Sequence, residues 1–526
     1  MKNNRLIPVI IGLIASTIQS SPLFHASSFL SPRSTSTNAA RELVGWRKYI
    51  NRGDMPGFYS AFYALGAYEQ SYRPNRIAEY FFGQQKISIS GSLNTNRNIN
   101  DLLADYFGLS PAFVSDVIMF PKIITNYIEL NWYAGYSSCF FRIHVPFVWE
   151  KTFYKLKETV YDSGQTVPFP ALYMADTAVT APATSFSQAI ETKVTYGQVE
   201  QGLNFNRIAH KQCKNGVSEP QLAWGYNVVA DDLSHIGFEA RLCAPTGNSS
   251  KSLFLFEPII GNGRHWEAGI GFTGHWVVWE KDIDKSLAVY LDINLMHKFK
   301  AKEIRSFDFK QHIMPPCTDK TNWGSRYILL KEFDGNGNYT GNTIPGVNVT
   351  TLPCKVKNDI YIDLALMLGY SSYLVDIDLG YGAWVRSKEE IELCASLPFN
   401  KYGLKGVQNV ALAPGILSNA TQSNATINGN YFTDQVTIED NPSPVFVNTH
   451  DINLQSAANP TSFTHKIFWN ISHAWENEDR ICRWVIPFLG FGGESEFESL
   501  HPRRITEPNQ NSISQWALWI KGGVTF

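Results

Sequence analysis

Residues 264–280 read RHWEAGIGFTGHWVVWE. In an extended chain successive side chains point to opposite faces. Trp266, Ala268, Ile270, Phe272, Gly274, Trp276 and Val278 then share one face, and Glu267, Gly269, Gly271, Thr273 and His275 the other. At about 3.3 Å per residue and a tilt near 40°, the step from Trp266 to Trp276 spans roughly 25 Å, the height of an apolar membrane band between two aromatic girdles. The opposite face suits a wet interior. Trp266 and Trp276 are therefore the expected girdle residues.

Alternation alone also fits a two-sheet sandwich, so the connections carry the distinction. The same pattern recurs in Leu287, Val289, Leu291, Ile293 and Leu295, in Ile360, Ile362, Leu364, Leu366 and Leu368, and in Val375, Ile377, Leu379, Tyr381 and Val385. Strands are expected near 57–71, 125–135, 138–150, 221–230, 233–243, 264–280, 286–298, 359–369, 372–386, 463–476, 480–490 and 512–526. Long links (72–124, 151–220, 244–263, 299–358 and 387–462) alternate with tight ones, and 491–511 is intermediate. Every tight link falls on the side of both termini, as an even-stranded barrel requires, and a sandwich has no reason to sort its loops so. The expected fold is all-β: residues 57–526 form a single transmembrane antiparallel β-barrel of about twelve strands, with short inner turns and long outer loops. Within the first long loop, INDLLADYFGL (99–109) reads as a short helix.

The rest of the chain is read in that frame. Lys2 and Arg5 precede an apolar run, Leu6 to Ile18, so residues 1–26 are expected to be an export signal, with an N-terminal anchor as the alternative. Residues 27–56 include NAARELVGWRKYI (38–50), able to form a helix, and are expected to be a plug or a periplasmic helix. Beyond the signal no apolar run is long enough for a membrane helix, which leaves a closed barrel as the structure able to span lipid. With 45 Lys and Arg against 47 Asp and Glu, no nucleic-acid partner is expected. Seven cysteines are an odd number, so one lacks an intramolecular partner. Cys317 with Cys354 is a pairing that would staple the 299–358 loop.

The last stretch, ISQWALWIKGGVTF (513–526), alternates again: Trp516, Leu518, Ile520, Gly522, Val524 and Phe526 against Gln515, Lys521, Gly523 and Thr525, with Trp519 out of pattern. It resembles the β-signal read by the barrel-assembly machinery. The resemblance implies that machinery as a partner and Trp516, Leu518, Ile520, Val524 and Phe526 as the signal. EARLCAPTGN (239–248) with IIGNGRHWEAGIGFTG (259–274) is similar to outer-membrane proteins of aromatic-degradation pathways, which implies a small hydrophobic substrate. LLADYFGL (102–109) and CFFRIHVPFVWEK (139–151) resemble predicted barrels of host-associated bacteria, which implies location and fold but no substrate. Taken whole, the pattern resembles porin-like, Gram-negative-type outer-membrane barrels.

Catalytic arrangements known in such barrels are not legible. A Ser–His–Asn set facing lipid is missing; Asp231-Asp232 falls on an inner turn; His450-Asp451 lies in an outer loop without a second acidic pair. There is no CxxC, HExxH or phosphate-binding glycine loop. No enzyme activity, cofactor or metal is expected, and His265 reads as an interfacial residue. The inward face should carry Glu129, Asn131, Arg142, His144, Glu239 and Arg241, then Glu267, His275, Asp292 and Asn294, then Asp363, Asp376, Asp378, Arg386, Lys466 and Lys521. Acids outnumber bases, which mildly favours cations. Asp292, Asp363, Asp376 and Asp378 should form one acidic patch, offset in part by Arg386. The expected function is a channel for small solutes in the outer membrane, with lipid as its surroundings. The alternatives are a transporter of small hydrophobic compounds, which would need an apolar pocket and a plug, a surface adhesin or structural barrel using its long loops, and a secreted soluble all-β protein.

Overall fold

The computed structural model describes residues 33–34, 37–51, 57–72, 74–82, 85–98, 101–169, 177–231, 233–281, 285–310, 324–337, 339–373, 375–405, 446–475, 485–498 and 514–526. The expected export signal and Cys317 lie outside them. Twelve strands form the wall. They are β1 (Phe58–Ser71), β2 (Val114–Tyr136), β3 (Cys139–Asp162), β4 (Gln221–Ala230), β5 (Ser234–Cys243) and β6 (Glu267–Lys281). The second half is β7 (Lys285–Ser306), β8 (Thr351–Ser371), β9 (Asp376–Arg386), β10 (Ser462–Ala474), β11 (Ile486–Glu498) and β12 (Gln515–Thr525). Each pairs antiparallel with its neighbour in sequence. β12 pairs with β1, from Ala61 opposite Thr525 to Ser71 opposite Gln515, so the sheet closes and has no free edge along this circuit. The all-β, twelve-strand antiparallel barrel is the fold.

Tight turns gather at one end, as at Ser137, whose φ of 53° lets two residues reverse the chain between β2 and β3. The seam closes at the same end: Ser60 and Phe526 exchange two backbone hydrogen bonds, at 2.6 and 2.8 Å. At the other end several strands outrun their expected limits. β2 and β3 are 23 and 24 residues long, β7 and β8 are 22 and 21. These overhangs keep hydrogen-bond registry past the height of their neighbours, because polar residues such as Lys155 and Lys157 can continue a ladder in water. β11 begins and ends later than expected, and so carries Glu494 and Glu496.

The long loops are built into a cap over this end, with a core of its own. Phe81, Phe107, Phe113, Phe186, Phe256, Phe307, Tyr327 and Ile452 are among its buried residues. Short pairings tie distant segments together, Asp308–Phe309 with Ile452–Asn453 and Leu329–Phe333 with both Tyr339–Pro345 and Tyr402–Leu404. The buried guanidinium of Arg326 meets Asp308 at 2.7 Å. The helix expected at 99–109 is, in its described part, a parallel bridge at Leu102–Leu103 followed by one 3₁₀ turn, Ala104–Phe107. Gly108, at φ 70°, ends the turn by returning its N–H to Asp105. The described cysteines, Cys354 included, are unbridged.

Candidate functional site in the lumen

The lumen is occupied by the chain's own N-terminal segment. Helix α1 (Ala39–Leu43) has five residues, too few to persist alone. Its ends are held by its surroundings. Asn38 caps it, accepting from the Arg41 N–H at 3.4 Å and donating to Glu494 at 2.9 and 3.0 Å. Lys521 on β12 closes the other end, donating to the carbonyls of Arg41 at 2.9 Å, Glu42 at 3.2 Å and Val44 at 2.7 Å. A cation at exposed carbonyls is the favourable end of the helix dipole. The same ammonium lies 3.8 Å from the Tyr63 ring centroid and 5.2 Å from that of Trp46.

Charges of the segment meet charges of the wall at successive heights. Arg33 reaches Asp363 at 2.8 Å and Glu496 at 3.1 Å. Arg41 lies among Glu129 at 3.0 Å, Glu494 at 3.3 Å and Glu69 at 3.6 Å. Glu42 faces Arg241 at 3.0 Å and Arg142 at 3.3 Å. Arg47 takes Asp378 at 2.5 Å, and Lys48 takes Asp376 at 2.7 Å next to the turn end. Trp46 and Tyr49 add an apolar layer against Tyr63, Tyr133 and Phe488. Beside Arg33 a cavity lined by Thr37, Glu267, Tyr361 and Trp384 measures about 30 Å³, room for little more than water.

The wall's outer face is the reverse. Ile128, Trp132, Trp224, Phe238, Ile270, Leu366, Leu379, Ile467, Phe491 and Ile520 all stand exposed on it, strand after strand around the circuit. A contiguous apolar surface of this extent has no place in water, and a closed sheet leaves no backbone group unpaired in lipid. The chain is a transmembrane antiparallel β-barrel. No protein-family model matches it, and no curated protein does. Among solved structures it is similar to a FadL homologue from Pseudomonas aeruginosa, at 8% identity over 95% of this chain and 96% of that one, TM-score 0.27. It is also similar to the transport unit of the autotransporter AIDA-I from Escherichia coli, at 7% identity over 94% and 100%, TM-score 0.27. A third similar structure is the CymD monoaromatic hydrocarbon channel, at 6% identity over 90% and 89%, TM-score 0.23.

Each candidate residue now has a place in the barrel. Trp266 and Trp276 face outward. Leu518, Ile520 and Phe526 do too, and Trp516 packs on Tyr68 with centroids 5.5 Å apart; Val524 is half-buried. Trp519 turns inward because its indole donates to Asn470 at 3.3 Å across the lumen wall. The four aspartates do not form a bare acidic patch: Asp363, Asp376 and Asp378 each meet a cation of the N-terminal segment. Arg386 donates to the Pro460 carbonyl at 3.3 Å and lies 5.6 Å from the Trp384 ring. Asp292 and Asn294 are buried beside Glu239, which pairs with Arg241. Lys466 pairs with Glu494 at 3.1 Å, and Glu267 accepts from Tyr361 at 2.6 Å. His144 faces Glu129 at 3.6 Å, while His275 stacks on Tyr290 against His235. His265 is buried rather than interfacial, bonded to the Phe299 carbonyl at 2.6 Å and Glu303 at 3.2 Å, because the turn at Asn262-Gly263 folds it inward. Sequence reading missed Arg41, Glu42, Arg47, Glu69, Glu494 and Glu496. Glu494 and Glu496 could have been found by extending the alternation of β11 past Gly490.

Proposed function

We propose that this chain is an outer-membrane channel held shut by residues 33–51, and that small polar solutes pass when this segment moves. The observation that carries the reading is that the segment meets the wall through buried ion pairs at successive heights, from Arg33 with Asp363 to Arg47 with Asp378, and through the half-exposed pair of Lys48 with Asp376 at the turn end. A permanent filler would gain as much or more from apolar packing, since a buried ion pair replaced by well-packed apolar groups is often neutral or stabilising. Charged partners, by contrast, recover hydration when they separate, so an ionic plug can leave. The wall it would expose is polar. Asn131 Oδ1, Arg142 Nη2, Glu239 Oε2 and Asn294 Nδ2 make no hydrogen bond within the described protein, so part of this wall is already suited to water or solute. Export through residues 1–26 and delivery by the C-terminal strand to the barrel-assembly machinery belong to the same reading.

The test is conductance in planar bilayers. The full chain is expected to be silent or to open rarely. Deletion of 33–51 is expected to give steady steps, and the double variant R41A/R47A intermittent ones. Asp363→Asn with Asp378→Asn should act in the same direction, by releasing Arg33 and Arg47, before any change of ion selectivity is read. A deletion variant that folds, by its heat-modifiable migration, yet stays silent removes the channel. It would favour a second reading, a surface-display barrel, for which the separately cored cap is the supporting observation.

A further inference from the structure

The outward face of β3 reads Phe141, Ile143, Val145, Phe147 and Trp149, and then Lys151, Phe153, Lys155 and Lys157. The apolar band thus ends at an aromatic residue, and cations begin one outward position above it. Registry gathers more of them. Phe153 lies opposite Lys122 on β2 and opposite Lys211 on the strand Lys211–Val217. The Lys211 ammonium is 5.7 Å from the centroid of the Phe153 ring. Strands about 4.8 Å apart, with outward positions about 7 Å apart along each, put all of these ammonium groups within roughly 15 Å of Phe153.

None of these lysines makes an ion pair among the described residues. The carboxylates in reach are otherwise engaged: Asp116 pairs with Lys86 at 2.9 Å and accepts from Tyr161 at 2.9 Å. Glu150 is buried on the inward face, and Glu158 accepts the N–H groups of Phe186 and Ser187 at 2.9 and 3.1 Å. A second lysine row, on β7 and β8, shows the contrast. There Lys300 has Glu392 at 2.9 Å, and Lys357 has Asp359 at 3.0 Å and Glu390 at 2.9 Å. One row carries its own counter-charges and the other does not, though both sit on overhanging strands.

We propose that the patch around Phe153 binds a lipid headgroup of the outer leaflet that carries two or more phosphate groups. Lysines gathered on neighbouring strands without counter-charges repel one another, modestly in water, and a polyanion between them removes that repulsion. The height fits a headgroup phosphate, because the lysines start directly above the girdle residue Trp149, with stems able to lie along apolar surface. Phe153, half-exposed among them, offers a flat face to the sugar or acyl root of such a lipid. The inference concerns the outside of the wall and does not depend on whether the lumen conducts.

The experiment measures retention of bis-phosphorylated lipid A, and of the same lipid enzymatically dephosphorylated, by the full chain in detergent, read by native mass spectrometry. The phosphorylated lipid is expected to bind about tenfold or more tighter. The variant K151Q/K155Q/K211Q is expected to lose about tenfold in that binding, and K300Q/K357Q no more than about twofold. All these side chains point away from the lumen, and heat-modifiable migration verifies that each variant is folded. Equal retention of the two lipids, or equal losses in the two variants, would overturn the proposal and leave general interfacial charge. Complete displacement by millimolar inorganic phosphate would also overturn it, by assigning the patch to free anion instead of lipid.

Discussion

Arg41 has Glu129 at 3.0 Å, Glu494 at 3.3 Å and Glu69 at 3.6 Å, with the Tyr127 hydroxyl at 2.7 Å. Removing one member of a buried charge cluster leaves the others uncompensated, so Arg41→Ala is expected to destabilise the barrel by about 3–5 kcal/mol. Lys300→Ala, which breaks an exposed pair, should cost less than about 1 kcal/mol. Denaturation midpoints followed by gel mobility check both, and equal shifts would deny the lumen cluster any special weight. In the cap, Glu389 makes a comparable pair. Burial pushes its carboxyl up, but Arg305 at 2.5 Å and then Arg386 outweigh this, and the Asn459 N–H at 2.9 Å adds to them, holding it at about 2. A carboxylate depressed in the folded state contributes stability that is complete above its ordinary value of 4.5 and is lost as pH falls toward 2. The cap should therefore become protease-sensitive in that window. Glu389→Gln should remove the pH step while lowering stability at neutral pH. At this scale sequence reading named Asp363, Asp376, Asp378 and Lys521 but not their partners. The partners lie hundreds of residues away on a segment with no period of its own.

α1 shows what an element owes to its setting. AAREL cannot hold a helix by propensity over so few residues; Asn38 at one end and Lys521 at the other supply what the chain lacks. Lys521 thus joins the C-terminal strand to the plug, and the inward face of ISQWALWIKGGVTF is explained by Lys521 and Trp519 as its outward face is by lipid. Phe526 has two separable parts. Its backbone exchanges two hydrogen bonds with Ser60 across the seam, and its ring stands half-exposed outside. Deleting it would remove both, so deletion alone cannot isolate a signal. Phe526→Ala keeps the backbone bonds. If the ring is read during assembly, Phe526→Ala should lower the surface yield severalfold while export continues and the protein that does insert has normal heat stability. Unchanged yield would mean that the ring only faces lipid. The twelve strands were legible because alternation is a local property of each one. Their outer limits were not, since an overhang in water is stabilised by its partner strand and not by its own pattern.

The molecule is a lipid-facing wall, a filled lumen and a cap, and the two cores are distinct in kind. The lumen is closed by ion pairs and aromatic rings around Trp46; the cap is closed by apolar packing around Phe107, Phe186 and Tyr327. The cap's core was illegible in the sequence because it joins short pieces with no shared period, such as Phe309 opposite Ile452. The long links, read as exposed loops, gave no sign that they pack together. Yet β2, β3, β7 and β8 run unbroken from wall into cap, so the two could melt together or apart. The described tryptophans all lie in the wall, at its rim or on the segment inside it, so with Trp323 on the β7–β8 link replaced by Phe the fluorescence follows the barrel. Phe107→Ala empties a large buried site in the cap and should cost it about 3–5 kcal/mol. If the cap is an independent cooperative unit, trypsin should then cut it on intact cells under conditions where the wild type resists, while the fluorescence midpoint and gel mobility of the barrel stay fixed. A barrel midpoint that falls together with cap protection would show that the overhanging strands transmit the loss, and that wall and cap fold as one.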